Sequence, residues 1–119
     1  MLGEPSAAQL IEAVAGYIES LAPSLSGRDA FHGRVAVNAL RIAARELEHG
    51  PAAEARELQG LADIGFPGQL EEARRALCAA IRSSEQALEN KRLADHLLRC
   101  AADRVAIEQP SYASLARVR

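Results

Sequence analysis

Phe31-His32-Gly33-Arg34-Val35-Ala36-Val37-Asn38-Ala39-Leu40-Arg41-Ile42-Ala43-Ala44-Arg45-Glu46-Leu47 belongs to the longest and most apolar helical segment of the chain. On a wheel of 100° per residue its apolar members cover about two thirds of the circumference. A helix apolar over so wide an arc needs neighbours on most sides, so it is expected at the centre of the fold. Asp29 is placed to cap it, and His49-Gly50-Pro51 reads as its stop. The expected element is a helix over 28–49.

Working outward, the prolines act as punctuation. Pro5, Pro23, Pro51, Pro67 and Pro110 fall between periodic segments, where a residue without an amide proton costs least. The flanking helices are expected over 6–22, 52–63, 68–83 and 88–109. The first opens on Ser6 with Gln9 three residues on, the pattern of a capping box. Leu10, Val14, Tyr17 and Leu21 then repeat at helical spacing and should form its buried stripe. Leu58, Leu61 and Ala62 should be the buried side of the third segment. Leu70, Ala73, Leu77 and Ile81 should be that of the fourth, and Leu93, Ala94, Leu97, Cys100, Ala101 and Val105 that of the fifth. Ile64-Gly65-Phe66-Pro67-Gly68 reads as a turn carrying an apolar plug, and 83–87 as a linker. Short connections favour antiparallel neighbours. The expected fold is therefore all-α, a compact up-and-down bundle of four to five helices with helix 28–49 central, in a single domain over 1–119.

Composition agrees with a helical reading. The 119 residues are 49% hydrophobic, yet 25 of them are alanine and only Tyr17, Phe31, Phe66 and Tyr112 are aromatic. A β-sandwich or small barrel would need more aromatic and β-branched residues to fill its pleated faces. The formal net charge of −2 lacks the basic excess of a nucleic-acid binder. No apolar run approaches the roughly 20 residues that span a bilayer, and the first residues lack the pattern of a signal peptide. A cytoplasmic protein without nucleic-acid or membrane partners is expected. Cys78 and Cys100 lack a CxxC spacing and read as small apolar residues.

Polar residues inside apolar arcs mark candidate sites, because burying them without partners costs about 1–3 kcal/mol each. His32 and Glu46 stand so in helix 28–49, and Arg74 and Arg104 in later helices. A candidate buried polar network is His32, Glu46 and Arg104, with Glu46 pairing to Arg104 or Arg74. Read structurally, such a pair fixes helix register; read functionally, His32 or Glu46 is an acid or base. Arg34, Asn38, Arg41 and Arg45 form a narrow stripe suited to phosphate or carboxylate, since guanidinium binds both bidentately. The alternatives for the stripe are a solvated face paired to acids such as Glu71 and Glu72, or a surface covered by a partner protein. His96 and Cys100 are four residues apart and able to touch, but two ligands fall short of a structural zinc site. The sequence has no GxSxG, GxGxxG or glycine-rich phosphate loop. No metal, cofactor or catalytic residue is expected, and a homo-oligomer is plausible for so alanine-rich a chain.

The run Phe31-His32-Gly33-Arg34-Val35-Ala36-Val37-Asn38-Ala39-Leu40, with Arg45-Glu46-Leu47 and Gly50, resembles the signature of a small bacterial family of unknown function. The opening Pro5-Ser6-Ala7 and the closing stretch from Arg104 to Tyr112 carry the resemblance towards both ends. It implies His32, Arg34, Asn38, Arg45, Glu46, Arg104, Pro110 and Tyr112 as the marked positions, with lysine frequent in place of Arg104. Family members are typically encoded beside acyl-CoA dehydrogenases and kinases of the aminoglycoside-phosphotransferase type. The resemblance thus implies an accessory protein in acyl-CoA or hydroxy-acid breakdown, with such an enzyme as partner. A protein binding phosphate or a CoA-like anion through the arginine stripe is the alternative.

Overall fold

A computed structural model of the chain describes residues 4–83 and 90–118. The fold is all-α. Among the described residues it comprises α1 (Ala7–Ser20), α2 (Gly27–Asp63), α3 (Leu70–Arg82) and α4 (Lys91–Glu108), with short 3-10 turns at Ala22–Ser24 and Ala113–Arg117. The chain divides into two compact units, Met1–Gly50 and Pro51–Arg119. None of the described helices is long and apolar enough to cross a membrane. Residues 84–87 of the expected linker lie outside the described residues.

The helix ends follow local chemistry. Ser6 and Gln9 form the anticipated capping box: the Gln9 amide donates to Ser6 Oγ at 3.1 Å, and the Ser6 amide to Gln9 Oε1 at 2.7 Å. Asn90 caps α4 by accepting from the Arg92 and Leu93 amides. α2 ends in a Schellman motif, with Gly65 left-handed at φ 101°. There the Phe66 amide donates to the Leu61 carbonyl at 2.8 Å and the Gly65 amide to that of Ala62 at 3.1 Å. Phe66, folded back by this turn, packs on Leu61 and its neighbours as the expected plug.

One boundary differs from expectation. His49-Gly50-Pro51 is not a stop, because α2 runs unbroken for 37 residues with Pro51 inside it. The expected helices 28–49 and 52–63 are one element. A proline in a helix loses one donor and crowds the preceding turn, at roughly 3 kcal/mol. Gly50 before it has no Cβ to clash with the ring, and it is buried. Asp29 lies in the first turn, where its charge suits the helix dipole, rather than at the cap.

The larger correction concerns which faces are inside. In the first unit the buried residues of α1 are Ala8 and Ala15, and those of α2 include Val37 and Ala44. The stripe expected to be buried is outside: Leu10, Val14 and Tyr17 are 54%, 50% and 65% exposed, and Leu21 is exposed too. Phe31 and Val35 of the helix expected at the centre are likewise exposed, at 55% and 51%. The cause is the other side of α1. Arg41 of α2 donates to both carboxylate oxygens of Glu19 at 2.9 and 3.1 Å and lies 3.5 Å from Glu12. Holding Glu12 and Glu19 towards α2 turns the opposite face of α1 to solvent. Gly33 leaves room for Leu25, whose Cδ1 would sit 3.2 Å from a Cβ there.

The second unit has an ordinary leucine core. Leu61, Ala73, Leu77 and Leu93 are buried together, with Leu70 and Ile81 packed against them. Leu58 and Ala62 are exposed. α4 is rotated from the expected setting, with His96, Ala102 and Ile107 buried and Leu97 and Leu98 exposed. Replacing Leu61 by alanine should cost about 2–5 kcal/mol. Leu10→Ala should stay within about 0.5 kcal/mol in dilute solution. Urea titration of the two variants checks this, and a costly Leu10→Ala would contradict the outward-facing α1.

Candidate functional site

The expected arginine stripe lies in the first unit. Arg34, Asn38 and Arg41 line one groove of about 210 Å³, together with Leu25, Val37 and Glu19. Arg45 is half-buried further along α2. Arg41 is not an open cation. Its bidentate bond with Glu19 holds that carboxyl below its ordinary range and pushes the guanidinium up. An anion entering the groove would compete there with a bound carboxylate. Arg34 and Asn38 are exposed beside Phe31 and Val35, and Arg34 makes no ion pair among the described residues.

The expected buried network takes another form. His32 is exposed. Its ring stands edge-on to Phe31 at 5.5 Å, and its Nε2 accepts from Arg28 Nε at 3.5 Å. Arg104 is exposed and pairs with Glu108 on its own helix at 3.2 Å. Glu46 is half-buried. Arg74 bonds Glu57 through Nε and Nη2 at 2.7 and 2.6 Å, and Glu71 through Nη1 at 2.7 Å. His32 and Arg104 are both exposed, whereas a buried network would need both sealed from water. Pro110 and Tyr112 are exposed as well.

A second groove, of about 480 Å³, lies in the second unit and was not anticipated as a site. His96 is 7% exposed, and its Nε2 is 3.6 Å from Cys100 Sγ. A Cβ on Gly60 would come within 2.4 Å of His96 Nδ1, so only glycine allows this imidazole to lie against α2. Arg56 clasps Asp103 at 3.0 Å through two nitrogens. Burial pushes the Cys100 thiol up, helped by the charges of Glu57 and Asp103. A thiol so held stays protonated and is a poor nucleophile. No cluster of three or more metal-ligating side chains occurs among the described residues. The i,i+4 spacing of His96 and Cys100 was visible in the sequence; the glycine across from them was not.

The chain matches a family model, described as a domain of unknown function (DUF6285), over residues 23–112. The chain belongs to the DUF6285 family. The matched region takes in α2, α3 and α4 and leaves α1 outside. No curated protein and no solved structure matches the chain.

Acid stability should report on the Arg74–Glu57 contact. Hydrogen bonding to Arg74 is the main cause that lowers the Glu57 pKa. A carboxyl lowered on folding stabilises above its unfolded value of about 4.3, and that contribution is lost as pH falls through the folded value. Glu57→Gln should therefore be less stable than the parent at pH 7, with the gap closing as pH falls below about 4. Chemical denaturation at several pH values measures it. A gap independent of pH would mean that the Glu57 charge contributes nothing.

Proposed function

We propose that the chain is a non-catalytic helical interaction protein that docks a partner through the outer face of the first half of α2. The carrying observation is the exposure of Phe31 and Val35, one turn apart, beside Arg34 and Asn38. An exposed aromatic in an apolar patch with an arginine at its edge is the anatomy of a docking centre. Arg28 and His32 extend the polar edge. The complementary partner presents an apolar pocket with acidic groups around it. The raised Cys100 thiol, held away from thiolate, supports a non-catalytic reading of the other groove. From the family resemblance, the proposed partner is a phosphotransferase-like kinase or an acyl-CoA dehydrogenase of acyl-CoA or hydroxy-acid breakdown.

Co-expression of the tagged protein with such a kinase and such a dehydrogenase tests this. Retention of one of them is expected with the parent and at least tenfold less with Phe31→Glu or Arg34→Glu, a loss of about 1.4 kcal/mol or more. Capture of neither enzyme, or equal capture by the variants, would overturn the reading.

A second reading has one observation in its favour: Arg34, Asn38 and Arg41 converge on one groove. If it holds a phosphate or CoA-like anion, ligand at a hundredfold excess over Kd should stabilise the fold by about 2.7 kcal/mol. That gain should disappear in Arg34→Ala. Absence of any shift with phosphate or CoA would remove this alternative.

A further inference from the structure

α1 has an apolar stripe whose geometry is self-complementary. Its members, Leu10, Val14 and Tyr17 with Leu21 at the C-cap, are separated by four, three and four residues. This is the a/d repeat of a helix seam, and all four are exposed. The spacing reads the same in both directions. Reversed and laid on itself, the stripe brings Leu10 opposite Leu21 and Val14 opposite Tyr17. Two leucines meet at each end, and a small branched side chain meets a large ring in the middle. Such a match is what an isologous two-fold contact requires.

Charge favours the same occupant. α1 carries only two charged residues, Glu12 and Glu19. Both are turned to Arg41 on the opposite side, at 3.5 and 2.9 Å. The seam itself is uncharged, so a second copy meets no like charge, while a partner recognised by charge would find nothing to pair with. Ala13 beside the seam is small enough to allow close approach of a second helix.

We infer that α1 is a homodimerisation helix, pairing antiparallel with the α1 of a second copy. From Leu10 to Leu21 the face is about 17 Å long and 10 Å wide. It therefore buries less than the roughly 800 Å² per partner of a standard interface, which makes the dimer a weak one in rapid exchange. The contact is separate from the Phe31 face proposed for a partner enzyme, so either can fail without the other.

Sedimentation equilibrium of the full chain should show the mean mass rising from monomer towards twice that value between about 1 and 500 µM, the range of a micromolar Kd. The double variant Val14→Glu/Tyr17→Glu should remain monomeric throughout, with an unchanged circular dichroism spectrum because both positions are exposed in the monomer. Register is read by oxidation in a Cys78→Ser/Cys100→Ser background. Leu10→Cys mixed with Leu21→Cys should give a disulfide-linked heterodimer, whereas Leu10→Cys alone should cross-link at least fivefold less. A parent chain that stays monomeric, or a dimer unaffected by the glutamates, would overturn the inference. Cross-linking of Leu10→Cys to itself as readily as to Leu21→Cys would overturn the antiparallel pairing.

Discussion

The first unit seals few large side chains from water. Ala8 and Ala15 of α1, with Val37 and Ala44 of α2, are what it buries. Small residues let helices approach closely, but they gain less from leaving water than leucine or phenylalanine would. The bidentate Arg41–Glu19 contact holds α1 in that setting. An exposed ion pair contributes at most about 1 kcal/mol, so its part is to choose an orientation more than to supply stability. The consequence is large for function. Seven big apolar residues, Leu10, Val14, Tyr17, Leu21, Phe31, Val35 and Leu47, are left facing water, a surface of the kind that marks interaction sites.

The second unit is built on a different principle. Leu61, Leu77 and Leu93 close a conventional core, and Phe66 is folded back onto it by the Schellman turn at Gly65. Around it lie clasped pairs, Arg74 with the half-buried Glu57 and the exposed Arg56 with Asp103. No buried side-chain nitrogen or oxygen among the described residues lacks a partner. His96 enters this interior because Gly60 yields it the space of a side chain. That close fit of imidazole and glycine sets the rotation of α4 and brings Cys100 to the same groove.

Local chemistry was legible in the sequence, and orientation was not. The Ser6–Gln9 capping box, the turn around Phe66 and the inward side of α3 at Ala73 and Leu77 depend on near neighbours, and each stands as read. Pro51 misled because a proline signals a boundary only when tertiary burial on either side does not outweigh its cost; Ala44 and Leu61 are both fully enclosed. On α1 and on α4 beyond Leu93, the buried faces differ from the expected ones for a shared reason. Periodicity finds the most apolar face, but the face that goes inside is the one that fits, and Ala15 and His96 fit where Leu10 and Leu97 do not. Of the arginine stripe, Arg34, Asn38 and Arg41 share one groove and Arg45 lies outside it. The pairing of Arg41 with Glu19, 22 residues earlier, depends on the fold and has no local signal in the sequence.

The central claim is that α1 buries Ala8 and Ala15 and presents Leu10, Val14 and Tyr17. Thiol labelling of native protein tests it most directly, in dilute solution and in a Cys78→Ser/Cys100→Ser background. Val14→Cys should react at close to the rate of an unfolded peptide, while Ala15→Cys one residue away should be protected by at least a hundredfold, about 2.7 kcal/mol of local opening. Protection at Val14→Cys with free reaction at Ala15→Cys would show the helix turned the other way and would contradict the account.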